Sequence, residues 1–415
     1  MNSLNKRKII NDPVYGFISI PSDFLFDLIE HPWFQRLRRI RQLGLTEYVY
    51  PGALHTRFHH AIGAMYLMDQ ALQTLKGKGH QISDEEATAA QAAILLHDLG
   101  HGPFSHVLEH TLLPQVHHED VSLLLMKELN VHFGGRLSMA IEIFEGTYPR
   151  KFLHQLVSSQ LDMDRLDYLN RDCYYTGVIE GSIGTDRIIK MLDIADDQLV
   201  VEEKGLLSIE HFLNARRTMY WQVYLHKASL CAETMLTQIL RRARDVVQQG
   251  KAVFATPVLS SFLTADNDNP FSIEKPGFSA LFTSLDDTDL WASIKVWVHH
   301  EDAVLSTLCS MLLNRKLFKL QYLSPEQSQE KLSKIRAQQL SQGIPDDCLN
   351  YFSVEGSISN AAYMPESEQI RVKTKGGKIM DISEASELPA IRALSKIVSK
   401  HFVCWAKHVS LEPKR

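Results

Sequence analysis

Between Ser22 and about Gly250, apolar residues recur at spacings of three and four while proline and glycine fall mostly between segments, the pattern of a helical array. The spacing predicts helices over 22–43, 58–76, 84–98, 104–113, 117–130, 137–144, 151–171, 184–192 and 208–248. The strongest signal is 84–98, DEEATAAQAAILLHD, with Asp84 and two glutamates in its first turn, an alanine and leucine body, and Gly100 just past its end. Alternation over Gln198 to Glu203, then Lys204-Gly205 and Leu206-Leu207, predicts a small hairpin inserted between helices. Around Thr264 to Gly277 the turn-rich stretch ADNDNPFSIEKPG marks the expected domain boundary, which divides the chain into 1–263 and 278–415. Beyond it 285–322 reads as helical, whereas 351–358 and the pair 370–374 and 378–382, joined through Gly376-Gly377, read as strands. A last helix is expected over 388–402, packed on that sheet. The fold class is therefore mostly α, a helical array followed by a smaller α+β C-terminal domain.

With 415 residues, 45% of them hydrophobic, the chain can bury a large core. No apolar run approaches the roughly 20 residues of a membrane span. The start, MNSLNKRKIIND, lacks the apolar region of a secretory signal, so a cytoplasmic address with no membrane contact is expected. Five scattered cysteines without a CxxC pair argue for reduced thiols rather than a disulfide framework or a thiolate zinc site. A net charge of -5 makes nucleic acid a secondary reading and requires any anionic ligand to meet a local basic cluster. The densest are Lys6-Arg7-Lys8, Arg36-Arg38-Arg39-Arg41 and Arg241-Arg242-Arg244, each of which taken alone is better explained as a solvated helix face. The histidines are uneven: His59, His60, His97, His101, His106, His110, His117 and His118 fall within about sixty residues.

Four residues stand out as hard-ion ligand types: His60, the adjacent pair His97-Asp98, and Asp164. Imidazole nitrogens with carboxylate oxygens suit Mn, Fe, Zn or Mg. Helical neighbours differ in direction by about 100°, so an adjacent pair reaches one ion only from a helix end, where Gly100 places it. Burying Asp98 uncompensated in so apolar a helix would cost several kcal/mol, which a divalent cation offsets. Each residue singly has a duller account, a satisfied core histidine or a turn-forming aspartate. The joint pattern, with Leu-Gly-His-Gly-Pro-Phe-Ser-His following the doublet, is far more specific than a lone glycine-rich loop.

On these residues the chain resembles the HD superfamily of phosphohydrolases, and within it the deoxynucleoside triphosphate triphosphohydrolases, of the dGTPase and sterile-alpha-motif-and-HD kind. The resemblance runs from Asn11-Asp12-Pro13 through FQRLRRIRQLG at 34–44, Tyr50-Pro51-Gly52-Ala53, Arg57-Phe58-His59-His60 and HDLGHGPFSH at 97–106. It continues through His118-Glu119, DMDRLDYLNRDCYYTG at 162–177 and Tyr224-Leu225-His226-Lys227, and covers roughly the first 250 residues. It implies that His60, His97, Asp98 and Asp164 hold a divalent transition ion, of the Mn, Fe, Zn or Ni kind, with Mg as a further cofactor. His60 rather than His59 is chosen because the family usually carries an acidic residue at the position of His59.

The resemblance further implies that His101, His106 and His118 surround the reacting phosphate, with His106 the chosen proton donor. His118 would be steered by Glu109, which stands where the family has the shorter aspartate. A metal-activated water and a histidine near its natural pKa suffice for phosphoryl hydrolysis near neutral pH. The family attacks the α-phosphate and releases deoxynucleoside and triphosphate. Its substrate residues match Arg57, Arg165, Tyr168, Arg216 and Lys227 near the phosphates and Gln42, Leu43 and Asp172 near the sugar. Tyr220 stands where a relative has a histidine towards the base. Asp164, Tyr168 and Asp172 fall at i, i+4 and i+8 and so line one helix face.

A regulatory nucleotide at subunit contacts, in a homo-oligomeric dimer or tetramer, is implied by Lys8, Asn11, Gln35, Arg38, Arg315 and Lys319, with Glu30 in place of an aspartate. A solvated basic face accounts for those residues slightly better than activation does. The rival readings are another HD phosphohydrolase, acting on a nucleotide monophosphate, a cyclic dinucleotide or an alarmone, and a nucleotide-binding HD scaffold without turnover.

Overall fold

The computed structural model describes residues 8–114, 116–265, 273–360, 363–364, 369–394, 396–409 and 411, the side chains of His106 and Ala390 excepted. Helices fill the region from Asp23 to Gln248, and three small sheets flank them. The helix Asp84–Leu96 begins where Ser83 accepts from Glu86 N and the Glu86 side chain returns to the Ser83 N–H. Its three acidic residues sit in the first turn, where the helix dipole favours them. It ends at Leu96, so that His97 caps it and Asp98 stands just outside. The 21-residue helix Arg57–Gly77 packs on it and on Met163–Thr176, and these three elements frame the site.

Several predicted helices are broken, each for a local reason. The span 22–43 divides into Asp23–Glu30, Pro32–Gln35 and a 3-10 turn Arg36–Arg39. Pro32 excludes the preceding residue from the helical region, and His31 stands extended and re-caps the chain on Trp33 N. The span 151–171 divides into Lys151–Val157 and Met163–Thr176, because Asp162 accepts from Ser159 N and Arg165 N and starts a new helix. The span 208–248 becomes Leu206–Met219, a π turn Tyr220–Tyr224 and Lys227–Gln248.

The strands are β1 (Ile9–Asp12), β2 (Gly16–Ser19), β3 (Leu192–Ala195), β4 (Gln198–Glu202), β5 (Lys319–Leu323), β6 (Ser353–Asn360), β7 (Arg371–Lys373), β8 (Ile379–Asp381) and β9 (Val398–Trp405). They form the hairpin β1-β2 and sheets ordered β3-β4-β7-β8 and β5-β9-β6. The expected hairpin therefore pairs 198–202 backwards with β3, not forwards with Leu206-Leu207, through Asp196 and Asp197, both at positive φ. The Gly376-Gly377 hairpin forms as read, and β7 adds to β4 in parallel. Of the expected helix 388–402 only Pro389–Ala393 is helical. Its end is β9, the central strand of its sheet, where β-branched and aromatic residues suit a pleated, half-buried surface. Residues 319–323, expected helical, form β5, and Pro325–Ser341 is a helix the periodicity did not mark.

One continuous buried cluster extends from Ile18 to Val409 and includes residues from the helical array and from the C-terminal sheets. All five cysteines are free and buried. Among the described residues no helix is long and apolar enough to cross a membrane.

Candidate metal centre

His60, His97 and Asp164 meet at one point, with Asp98 beside them. His60 Nε2 lies 3.1 Å from Asp164 Oδ1 and 3.7 Å from Asp98 Oδ2, and His97 Nε2 lies 3.4 Å from Asp98 Oδ1 and 3.5 Å from Asp164 Oδ1. Despite these distances neither nitrogen is aligned for a hydrogen bond, and both are buried without a partner. The other ring nitrogens explain why. His97 Nδ1 donates to Ile94 O at 2.6 Å, and His60 Nδ1 donates to Asp167 Oδ2 at 2.8 Å, so in the neutral imidazoles both Nε2 lone pairs face the carboxylates. Orphaned buried acceptors opposed by carboxylate oxygens fit a cation and little else. His60, His97 and Asp164 are close enough together to hold a metal ion.

The same carboxylates would otherwise hold a proton on His60, a positive charge that a divalent ion replaces. Burial pushes the His60 imidazole down, but the carboxylates of Asp164 and Asp167 and the charge of Asp98 outweigh it and raise it to about 10. Burial likewise opposes ionisation of Asp98, yet the charges of His101, His97 and Arg57 hold its carboxyl well below the usual range. Asp164 is held low against burial by His60 and His97.

His59, the other half of the doublet, points elsewhere. Its Nδ1 takes the Thr56 backbone N–H and contacts Thr56 Oγ1, which closes a capping box at the start of the Arg57–Gly77 helix.

The loop after the doublet is clamped from two sides. Ser122 Oγ accepts from Gly100 N at 2.8 Å and donates to His97 O at 2.6 Å. Arg36, fully buried, donates to Leu99 O, His101 O and Leu285 O, and burial lowers it to about 9. Any side chain at Gly100 would collide with His118 O and Ser122 N. On this loop His101 Nε2 stands 3.1 Å from Asp98 Oδ1, and its ring stacks on His118 with centroids 3.9 Å apart. Burial and the charge of Arg57 push His101 down to about 3. His118 Nδ1 is 3.2 Å from Glu109 Oε1, and His101, Glu109 and His118 form a second group compact enough for an ion. The side chain of His106 lies outside the described ones.

Of the residues expected near a substrate, Arg57 donates to Asp98 Oδ2 at 2.5 Å. Arg165 pairs with Asp162, and Arg216 donates to Gln160 Oε1 at 3.0 Å, in the loop just before it. The Nε atoms of all three arginines are buried without partners. Asp172 is held from both sides, by His55 Nε2 at 2.7 Å and by the Tyr224 hydroxyl at 2.8 Å, and the Tyr168 ring lies 6.1 Å from that of Tyr224. Gln42 N donates to the backbone carbonyl of His55, the residue whose side chain holds Asp172, and Gln42 Oε1 is buried unpartnered. Lys227 stands apart, exposed, its ammonium 5.1 Å from the Tyr322 ring. Lys8, Asn11, Glu30, Arg38, Arg315 and Lys319 are exposed, while Gln35 is half-buried and accepts from Arg38 Nε at 2.8 Å.

Residues 57–172 match the HD domain and 183–255 the HD associated region. A phosphohydrolase from Bacteroides thetaiotaomicron is 52% identical, with a TM-score of 0.90 over 96% of this chain and 100% of that one. The chain belongs to the HD-domain phosphohydrolase family. The uncharacterised protein YwfO of Bacillus subtilis is 33% identical over 93% of this chain and 89% of its own length. The deoxynucleoside triphosphate triphosphohydrolase SAMHD1 of Homo sapiens is 31% identical over 59% of this chain, which spans 46% of that protein. HD-domain phosphohydrolases are metal-dependent hydrolases, and the orphaned imidazoles of this one are arranged accordingly.

Sequence reasoning singled out no role for Asp167, Arg171 or Ser122, and it read Arg36 as part of a solvated helix face, whereas Arg36 is 0% exposed and clamps the loop. The pair Asp167 and Arg171, four apart within DRLDYLNRD, was the available signal, since i,i+4 opposite charges face one another on a helix.

Proposed function

We propose that this chain hydrolyses deoxynucleoside triphosphates: water attacks the α-phosphorus, the bond to the 5′ oxygen breaks, and deoxynucleoside and intact triphosphate leave. The observation that carries the reading is the convergence of two unpartnered imidazole nitrogens and two carboxylates beside Arg57. His60, His97, Asp98 and Asp164 would hold a divalent ion of the Mn, Fe, Zn or Ni kind, with Mg serving the triphosphate. When bound, such an ion supplies positive charge to a phosphoryl oxygen and makes a water acidic enough to attack near pH 7.

The chain's own residues supply the rest. Arg57, Arg165 and Arg216 offer guanidinium groups suited to phosphate oxygens. His106 brings a proton to the departing 5′ oxygen, His101 and His118 stand around the reacting phosphate, and Glu109 orients His118. Gln42, Leu43 and Asp172 form the wall for the sugar, and Tyr168 and Lys227 meet the phosphates. The deoxynucleoside triphosphate triphosphohydrolase activity for which the SAMHD1 relatives are named supports this choice of substrate. We also propose a homo-oligomer in the cytoplasm.

The test is incubation with each dNTP and NTP under Mn or Mg, with products separated by anion exchange. Triphosphate and deoxynucleoside are expected. Pyrophosphate, inorganic phosphate or no turnover would overturn the reading. His97→Ala and Asp98→Ala should each lower turnover by more than the roughly 10- to 100-fold typical of losing an outer partner of a ligand. A nucleotide-binding scaffold would have no turnover to lose.

A further inference from the structure

Behind His60 runs a line of buried charges that ends in the N-terminal hairpin. Both Asp167 oxygens accept from Arg171, Oδ2 from Nε and Oδ1 from Nη2, each at 2.9 Å, and Oδ2 also takes His60 Nδ1 at 2.8 Å. The remaining guanidinium nitrogen, Nη1, donates to Asp12 Oδ2 at 2.7 Å. Asp12 Oδ1 accepts the backbone N–H groups of Val14 and Tyr15 at 2.9 and 3.0 Å, which closes the turn between β1 and β2. Asp12 is 3% exposed, and Asp167, Arg171 and His60 are 0% exposed. The Tyr15 ring covers the guanidinium at 5.5 Å and packs on Tyr66 at 5.1 Å.

The charges along this line do not cancel. Two carboxylates and one guanidinium leave one net negative charge, directed at the imidazole face opposite the ion. Removing Asp12 would leave Arg171 and Asp167 neutral as a pair, and His60 would lose the anionic support that makes it a strong ligand and fixes its tautomer. The line also crosses three separate segments, so the hairpin turn, the Met163–Thr176 helix and the Arg57–Gly77 helix must all be in place before His60 is aimed.

We propose that Asp12 and Arg171 are positioning residues for His60, so that the conformation of the β1-β2 turn sets the affinity of the centre for its ion. This rests on the metal-centre reading and not on the identity of the substrate. The test is the affinity of the full-length, metal-stripped chain for Mn2+ and Zn2+, measured by competition with a chromophoric chelator, together with the melting temperature of each ion-free variant.

D12N and R171K should each weaken binding about tenfold or more. The double variant should be scarcely weaker than R171K alone, because both act through one line. F17S, at an exposed position on β2 that is 77% accessible, should bind as the wild type does. Should D12N fail to fold, D12E and R171K carry the test, and a loss of at least about threefold in both supports the coupling. Wild-type affinity in any folded Asp12 or Arg171 variant, with only its melting temperature lowered, would show the line to be structural and overturn the proposal. Because the readout is ion binding, it stands or falls independently of which nucleotide is hydrolysed.

Discussion

Gly63 shows how little room a single position leaves. A Cβ there would run into Asp167 Oδ1 and Arg171 Nη2, both buried and both committed to the line behind His60. Gly63→Ala is expected to lower stability by about 3 kcal/mol or more, since it overpacks the core and prises apart a buried ion pair. Urea unfolding of the ion-free protein reads this, and a loss below 1 kcal/mol would show that the pair yields easily. Asp287 makes a second residue-scale prediction. It is 6% exposed and accepts from Arg41 N at 2.9 Å, while its Oδ1 is buried without a partner, and burial pushes its carboxyl up to about 7. The folded pKa thus exceeds the unfolded value of about 3.9, so between those limits the folded state keeps a proton that the unfolded chain releases. Its contribution to stability is full below about pH 4, falls as pH rises, and is lost above about pH 7. Asp287→Asn stays neutral throughout, so its stability relative to the wild type should rise from pH 5 to pH 8, by at most about 3 kcal/mol. A difference constant across that range would contradict the assignment.

At the scale of elements, the metal centre depends on how one helix stops. Asp84–Leu96 ends before the doublet, and the turn that follows is stapled by Ser122 from the neighbouring helix His118–His132. Ser122→Ala would strand the Gly100 N–H and the His97 carbonyl in a buried place. A loss of about 1–3 kcal/mol is expected, with weaker ion binding. Unchanged chelator competition in a folded Ser122→Ala protein would mean that the turn holds its shape without the staple. Other elements obey the same local logic of caps and breakers: Pro32 divides the first predicted helix, and Asp162 starts a new helix so that Asp164 enters the site from its first turn.

At the scale of the whole molecule, the helical array and the C-terminal sheets share one buried cluster. β7 extends the sheet begun by β4, Ser386 donates to Glu210 at 2.5 Å, and the Tyr351 hydroxyl bonds Asp245 on the Lys227–Gln248 helix. Although composition suggested a boundary near 264–277, these ties predict one cooperative unfolding transition for the full chain. A chain cut after residue 263 would leave the buried side of Lys227–Gln248 uncovered, and its melting should be broad. A sharp transition with full ion affinity in that fragment would show that 1–263 is sufficient.

What the amino-acid order settled unaided is short-range. It determined where helices are capped, that the His97-Asp98 pair falls at a helix end, and that hard-ion ligand types lie at positions 60, 97, 98 and 164, because capping, propensity and spacing act within a few residues. Tertiary packing decided the rest. Which histidine of the 59–60 doublet faces the cluster, which nitrogen of each ring carries the proton, and that Asp12 supports His60 through Arg171 all depend on segments distant in the chain meeting in a buried space. The same holds for β9: a run read as helical became a strand because β5 and β6 offered it two edges.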